Sequence, residues 1–210
     1  MDVIPAITWL NINNPQVQSD GSKIKLNGGL NIYFNLGDSY AIATGLRYNS
    51  YGGKLQGTKD NIVENVTYKF REIEIPIGLK LRTKAIGSMR YVAHLNVGAG
   101  FEIKPSASRT DATDTNLNYE NNVGDYKLLL TRALYNLGLG VEYDLQGIVL
   151  TGRINYKGWF TPLYFYGDDI TTATKQLNLA PPTGTAPANI YDTTIKFKPS
   201  AFELAIGVLF

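Results

Sequence analysis

Residues 202–210 read FELAIGVLF, an alternation of large apolar residues with charged or small ones. Residues two apart share a face only in an extended strand. The pattern therefore predicts a β-strand with one continuous apolar face that ends on an aromatic residue. The residues of this face are Phe202, Leu204, Ile206, Val208 and Phe210.

The same period-two alternation recurs along most of the chain. Each such segment carries Leu, Ile, Val or an aromatic residue on one face and charged, amide or glycine residues on the other. The facing of the opening segment is not assigned. The predicted strands, about eight in number, lie near 3–12, 23–36, 40–49, 66–82, 90–104, 132–143, 148–157 and 195–210.

Short and long connections alternate between these strands. The short links at 37–39, 83–88 and 144–147 are rich in turn-forming residues. This alternation puts both termini at the short-turn end, as in bacterial outer-membrane barrels. We therefore predict one all-β domain over residues 1–210, a single eight-stranded antiparallel up-and-down transmembrane β-barrel with three short turns and four long loops. The predicted long loops are 13–22, 51–65, 105–126 and 161–195.

The polar face of the strands indicates which side points inward. It combines glycines with charges of both signs, which suits a narrow lumen that side chains fill, so no aqueous channel is expected. The apolar face then contacts lipid. The predicted lumen charge network consists of Glu72, Glu74, Arg82, Arg90, Glu102, Arg132, Glu142 and Arg153.

Two further features of the strands lead to structural expectations. The alternation changes phase near Arg71 and near Pro199, which predicts a bulge or bend at each position. Aromatic residues near the strand ends are expected to form girdles at the membrane interface. These residues are Tyr48, Tyr91, Tyr143, Tyr156, Trp159 and Phe160.

Composition excludes several classes of protein. The 210 residues carry a formal net charge of only +2 and no cysteine, so neither nucleic-acid binding nor a disulfide or thiolate site is expected. No apolar run is long enough for a membrane-spanning helix. Residues 1–5 do not resemble a signal peptide, and we expect a mature, exported form from which that peptide has been removed.

No residue pattern predicts catalysis, a cofactor or a metal. The single histidine, His94, lies on the polar face, where a hydrogen-bonded interior residue is the expected role. Glu72 and Glu74 could act as an acid–base pair, but the surrounding cations favour a structural role. The glycine pairs at 98–100 and 138–140 lie inside strands with no helix after them, so they do not form a dinucleotide loop.

Four segments together resemble a known family. They are EIPIGLK at 74–80, VGAGF at 97–101, LGLGVEY at 137–143 and the terminal Phe210. They resemble the PorT-like family of outer-membrane β-barrels from Bacteroidetes. The resemblance implies an exported eight-stranded barrel in the bacterial cell outer membrane, with both termini periplasmic. It also implies insertion by the barrel-assembly machinery, which recognises an aromatic-ended last strand.

The function expected from the sequence is that of a non-enzymatic, monomeric barrel with a filled polar lumen. Its expected partners are outer-membrane lipid and, through the long loops, a protein or the cell surroundings. Because the founding type of the family serves in type IX protein secretion and gliding, a role in that machinery is one alternative. A soluble, lipocalin-like binder of apolar ligands and a lipid-modifying enzyme at the barrel rim are two others.

Overall fold

Strands make up nearly all of the regular structure in the computed structural model of the chain. The structure describes residues 1–12, 17–59, 62–103, 106–110, 117–119, 131–161 and 197–210. The strands are β1 Asp2–Ile12, β2 Val17–Ser19, β3 Lys23–Asn35, β4 Tyr40–Lys59, β5 Ile62–Arg82, β6 Met89–Glu102, β7 Ser106–Thr110, β8 Leu117–Tyr119, β9 Thr131–Asp144, β10 Val149–Trp159 and β11 Phe197–Leu209.

Eight of these strands close into an antiparallel barrel, as the sequence predicts. The wall follows the chain as β1, β3, β4, β5, β6, β9, β10 and β11, and β11 pairs back onto β1. Asp2 lies opposite Gly207 in that last pair. Closure satisfies the backbone donors and acceptors of the wall, as a β-structure in lipid requires.

The apolar face of the wall points outward, which confirms the predicted orientation. Leu30, Ile75, Leu95 and Ile206 are 58, 48, 53 and 56% exposed. The alternate residues of the same strands face the lumen and are mostly buried. In β1, whose facing the sequence did not assign, the inward residues are Asp2, Ile4, Ala6, Thr8 and Leu10.

Three short connections lie at the end of the barrel that carries both termini, which we call the turn end. The β3–β4 turn is closed by the Leu36 amide, which donates to the Tyr40 carbonyl over 3.1 Å. In the β9–β10 hairpin, Gln146 and Gly147 both have positive φ, of 56° and 117°. Two positive φ values are typical of a type I′ turn, which matches the twist of the flanking strands.

The opposite end of the barrel, which we call the loop end, differs from the prediction at residues 51–65. Most of this predicted loop is instead strand, because β4 continues to Lys59 and β5 begins at Ile62. β2 pairs with the outer half of β4, and β7 pairs with the outer half of β5. The predicted loops at 13–22 and 105–126 lie partly outside the described residues, and the loop at 161–195 almost wholly so.

The bulge predicted near Pro199 is absent. Near Arg71, β5 itself is regular, but its partner on one side gains one residue, because the register changes from Glu72↔Glu102 with β6 to Lys69↔Ser106 with β7. β5 keeps one register against β4 from Tyr40↔Leu81 to Lys59↔Ile62. β11 likewise keeps one register against β1 and another against β10. The change of phase has a different cause, because inside the loop end the lumen is lined by apolar residues rather than polar ones.

β4 leaves the wall near the loop end and passes over the mouth of the barrel. Its pairing with β3 ends at Gly28↔Tyr48, and beyond it the Asn27 side chain accepts the Ser50 amide over 2.7 Å. The Thr8 hydroxyl then donates to the Gly52 carbonyl over 2.8 Å, so β4 contacts β1 directly. The loop end is therefore covered by the chain itself.

Within the described residues, no helix is long and apolar enough to cross a membrane.

Candidate functional site

The lumen holds a network of buried charges, and its centre lies between β5 and β10. Glu72 and Glu74 occupy alternate inward positions of β5, and neither is exposed. Lys157 of β10 places its Nζ 2.5 Å from Glu74 Oε2 and 3.6 Å from Glu72 Oε1. The Asn49 amide donates to Glu74 Oε2 over 2.6 Å and to Glu72 Oε1 over 3.3 Å. Three strands are thus linked across the lumen.

A second group of charges lies toward the loop end. Arg132 of β9 forms ion pairs with Glu102 and, over 3.3 Å, with Glu72 Oε2. The Tyr51 hydroxyl donates to Glu102 Oε2 over 2.8 Å. Gly100 makes this packing possible, because a Cβ there would lie 2.6 Å from Glu72 Oε2. The inward glycines leave the room that the long charged side chains fill.

A third group lies toward the turn end. Lys80 forms an ion pair with Glu142, and Arg153 forms one with Asp2. Arg153 Nη1 also donates to the Tyr33 hydroxyl over 3.0 Å. Lys80 Nζ lies 4.0 Å from the centroid of the Tyr33 ring, within the range of a cation–π interaction. These contacts join β1, β3, β5, β9 and β10.

His94 belongs to this third group and has no partner suited to catalysis among the described residues. Its Nε2 lies 3.4 Å from Arg153 Nη1, and its ring meets the Tyr33 ring edge-on at 6.1 Å. A general base needs a proton-donating nucleophile or substrate within hydrogen-bond distance, either directly or through one water molecule. An arginine and a phenol edge supply neither, so the contacts of His94 fit a packed interior residue.

An apolar plug closes the lumen at the loop end. Tyr51 is 1% exposed and stacks on Phe70 with ring centroids 5.3 Å apart. Tyr51 also meets Trp159, with ring centroids 4.8 Å apart. We define the plug as the buried residues Leu10, Tyr51, Leu55, Tyr68, Phe70, Leu134 and Trp159.

The plug rests directly on the charge network. The Arg132 guanidinium carbon lies 5.0 Å from the centroid of the Tyr51 ring, and Lys157 Nζ lies 5.1 Å from the Trp159 ring. Trp159 Nε1 also lies 3.4 Å from Glu72 Oε2, a long hydrogen bond. The polar ends of the aromatic residues therefore face the charges while their rings face each other, which is a common role of buried Tyr and Trp.

Six of the eight predicted network residues lie in the lumen, and two lie at its turn-end rim. Glu72, Glu74, Arg132, Glu142 and Arg153 are buried, and the Glu102 side chain is 2% exposed. Arg82 instead donates to Asn35 Oδ1 over 2.6 Å near the surface. Arg90 lines a cavity of about 260 Å³ at the turn end, beside Glu142, Asp144 and Gln146.

Sequence reasoning missed Asp2 and the plug. Asp2 pairs with Arg153 inside the lumen, in a strand whose facing was not assigned. Trp159 was expected at the membrane interface and is instead 3% exposed inside the barrel. The sequence did contain a signal for the plug, because alternate residues of a strand share a face. Trp159 falls on the same face as Arg153 and Lys157, and Phe70 falls on the same face as Glu72, so both aromatic residues point into the lumen.

The outward-facing predictions can be placed as well. The predicted girdle residues Tyr48, Tyr91, Tyr143 and Phe160 are exposed. In β11, Phe202, Leu204, Ile206 and Phe210 are exposed and Val208 is half-buried on the same face. β11 pairs on both sides, with β10 and with β1, so this strand completes the barrel.

The described residues hold no cluster of three or more His, Cys, Asp or Glu side chains that could bind a metal ion.

Several solved structures resemble the chain over nearly its whole length. OprG from Pseudomonas aeruginosa matches with a TM-score of 0.42 and 10% identity over 99% of this chain and 93% of its own. Ail, the attachment invasion locus protein of Yersinia pestis, matches with a TM-score of 0.36 and 10% identity over 99% of this chain and 96% of its own. The outer membrane enzyme PagL matches with a TM-score of 0.30 and 9% identity over 98% of both chains. Similarity at this level carries no information about activity.

A family model gives the assignment that the fold suggests. No curated protein matches the chain. The model of the outer membrane protein beta-barrel domain matches residues 6–161, which is well over half of the chain. Members of this family reside in the bacterial outer membrane. With its closed eight-stranded wall and outward apolar face, the chain belongs to the outer membrane protein beta-barrel domain family.

Proposed function

We propose that the protein is a non-enzymatic outer-membrane anchor that holds long loops at the cell surface for contact with a partner. The observation that carries the proposal is the filled lumen. Ion pairs connect strands that are not neighbours in the wall, and the plug covers them at the loop end. A wall closed in this way supports loops without offering a path through itself.

A conductance measurement tests this proposal. The purified full chain in a planar lipid bilayer is expected to give no steady ion conductance, because the lumen contains side chains rather than a continuous water column. A stable, reproducible channel would contradict the filled-lumen function. A general porin in the same bilayer is the positive control.

The lumen gives no support to the alternative of a lipocalin-like binder. Such a protein needs its apolar face around a central cavity, whereas here Leu30 and Leu95 are exposed on the outside. The alternative of a rim enzyme lacks a supporting constellation in the described residues, since the polar and ring contacts of His94 are with Arg153 and Tyr33. Blank assays against lipid A and peptides are expected, and turnover of either would contradict the proposal.

The finer assignment that we propose is the PorT-like branch found in Bacteroidetes. Its support is the set of strand segments 74–80, 97–101 and 137–143. A dedicated role in type IX secretion or gliding is the alternative within this branch. Deleting the gene and measuring secretion and gliding separates the two, because a general surface anchor leaves both intact.

The orientation and partners follow from the same proposal. The long loops face the outside, both termini face the periplasm, the barrel-assembly machinery inserts the chain through β11, and the barrel is a monomer. The three short turns at one end support this orientation, because outer-membrane barrels keep short turns in the periplasm. The turn residue Lys84 can be replaced by cysteine. On intact cells this cysteine should not react with a membrane-impermeant maleimide, because the proposed orientation places it in the periplasm. Labelling of this cysteine would show that the orientation is the opposite one.

A further inference from the structure

The cavity of about 260 Å³ at the turn end lies where the lumen meets the surface of the barrel. It is framed by the turn between β5 and β6 and by the turn between β9 and β10. We call this space the turn-end cavity. Its lining residues are Ala85, Gly87, Ser88, Arg90, Glu142, Asp144, Gln146 and Val149.

Side chains of the charge network lie directly beyond the turn-end cavity. Glu142, which lines the cavity, is 3% exposed and forms an ion pair with Lys80. The Lys80 ammonium group lies in turn over the Tyr33 ring. The plug covers the far end of the lumen. A molecule that enters at the turn end can therefore be held there, but it has no path through the barrel.

Two charged residues of the cavity take part in no ion pair among the described residues. Arg90 lies opposite Glu142 in the β6–β9 pair, but Glu142 is engaged by Lys80. Asp144 is the next residue of β9 on the same side as Glu142, and its backbone amide donates to the Ser88 carbonyl over 2.8 Å. Arg90 and Asp144 are thus diagonal neighbours, which are about 7–8 Å apart in an antiparallel pair. One unpaired cation and one unpaired anion line the same small space.

This arrangement of charges indicates the chemistry of a ligand. A simple anion would be attracted by Arg90 but repelled by Asp144 and by Glu142. A simple cation would be attracted by the two carboxylates but repelled by Arg90. A molecule with both a carboxylate and an ammonium group satisfies both sides, because arginine binds a carboxylate through two parallel N–H···O bonds and a carboxylate accepts strong hydrogen bonds from an ammonium group.

The size and the remaining lining of the cavity limit the ligand further. Pockets for drug-sized ligands have volumes of about 300–1,000 Å³, and this cavity is smaller. Ser88 and Gln146 add a hydroxyl and an amide, which can hydrogen-bond a peptide group. The apolar side chains of the lining, Ala85 and Val149, are small. The cavity therefore suits a compact polar molecule rather than one with a long aliphatic or aromatic part.

We propose that the turn-end cavity binds a free amino acid or a dipeptide, with the carboxylate of the ligand on Arg90 and its ammonium group on Asp144. The site retains the ligand and does not conduct it, because the charge network lies beyond the cavity. The compartment that supplies the ligand rests on the proposed function, which places the turn end in the periplasm. The binding itself does not depend on the orientation in the cell.

A nuclear magnetic resonance titration of the full, isotope-labelled chain in detergent micelles tests the site. The probe is the dipeptide alanyl-alanine, which carries both charges. Two blocked peptides serve as comparisons, N-acetyl-alanyl-alanine without the ammonium group and alanyl-alaninamide without the carboxylate. The backbone amides of Gly87, Ser88 and Gln146 report binding in the cavity, and the amide of Gly52, over the opposite mouth, is the internal reference.

Two variants each remove one charge of the site, Arg90→Gln and Asp144→Asn. Glu142 stays unchanged because it pairs with Lys80. The matched control is Asp38→Asn/Lys84→Gln, which removes one charge of each sign from exposed turn residues that do not line the cavity. The mobility of the unboiled sample on a gel shows whether each variant forms the folded barrel.

In the wild type and in the control, alanyl-alanine should shift the three reporter amides in a saturable manner and leave Gly52 unchanged. Each site variant should bind the dipeptide at least about tenfold more weakly, as expected when a hydrogen bond between charged groups is lost. The two blocked peptides should bind the wild type more weakly by a similar factor. This last comparison needs no variant, so it tests the site even if a substitution prevents folding.

Three outcomes would overturn the proposal. Shifts that do not saturate, or no shifts, would mean that the two charges are only solvated. A blocked peptide that binds as tightly as alanyl-alanine would mean that the cavity recognises a single charge. Equal weakening in the control would mean that the effect is general charge loss. Failure of the surface-labelling experiment above would reverse the orientation and leave the micelle result unchanged, so the two proposals fail separately.

Discussion

Lys157 shows how the lumen satisfies buried charge at the level of one residue. Its ammonium group is surrounded by Glu74, at 2.5 Å, and Glu72, at 3.6 Å, and its side chain is 1% exposed. Removing one partner of a buried ion pair leaves an uncompensated charge, which is much more destabilising than removing both partners. The two carboxylates would then repel each other.

We therefore predict that Lys157→Met lowers the free energy of unfolding by about 3–5 kcal/mol. Adding Glu74→Gln to this variant should recover part of the loss, because the carboxylate that lay closest to the lost ammonium group is then neutral, while Glu72 keeps its ion pair with Arg132. Urea unfolding of the barrel in lipid vesicles, followed by tryptophan fluorescence, measures both. Lys84→Met, at an exposed turn, should stay within about 0.5 kcal/mol of the wild type. A Lys157→Met barrel as stable as the wild type would contradict the network.

The partners of Lys157 could not be predicted from the sequence, although its inward facing could. The face on which a residue lies follows from the alternation within its own strand. Lys157 lies on the face opposite to Ile154 and Tyr156, as the pattern requires. Pairing with β5 depends on the relative height of strands that are not neighbours in the wall. That height is set by the stagger of the whole barrel, which no single strand encodes.

At the level of elements, the β4–β5 hairpin is the least expected part of the fold. The sequence predicts a loop for its outer half, because Tyr51 to Lys59 contain three glycines and no sustained apolar face. In the structure, the glycines allow β4 to bend over the mouth of the barrel. Gly52 has a φ of 152°, and a Cβ at this position would clash with the Tyr68 carbonyl.

We predict that Gly52→Ala displaces the hairpin from the mouth without opening the wall. The strained backbone and the clash should destabilise the covered state by about 1–3 kcal/mol. Limited proteolysis of the barrel in vesicles should then cut the hairpin several-fold faster than in the wild type. Gly152→Ala is the matched control, because a Cβ there meets nothing within 4 Å. Equal cleavage rates for the two variants would contradict the role given to Gly52.

The wall strands, in contrast, were predictable because each has to satisfy two environments at once. A strand between lipid and a polar lumen must alternate, and it keeps alternating for its full length, as β3 and β11 do. The prediction failed where a strand leaves this setting. At Tyr68 and Phe70 the lumen itself is apolar, so a change of inward residue type was mistaken for a change of register.

At the level of the whole molecule, the polar and apolar faces of the barrel are reversed relative to those of a soluble barrel. Charged residues from all sides of the wall meet in the lumen, and Leu, Ile, Val and aromatic residues cover the outside. In water such an outer surface would be a very large exposed apolar patch, whereas in a bilayer it is the favoured surface. The filled lumen and the proposed anchoring role both follow from this arrangement.

The most direct test is therefore to ask what the outer side chains touch. The chain has no cysteine, so single cysteines replacing Leu30, Ile75, Leu95 and Ile206 can each carry a nitroxide label. In vesicles, these four labels should collide more with dissolved oxygen than with a polar nickel complex, and a label at Lys84 should show the reverse. Two results would contradict the lipid-facing surface. In the first, the four labels collide with the nickel complex as often as the label at Lys84 does. In the second, neither reagent reaches them.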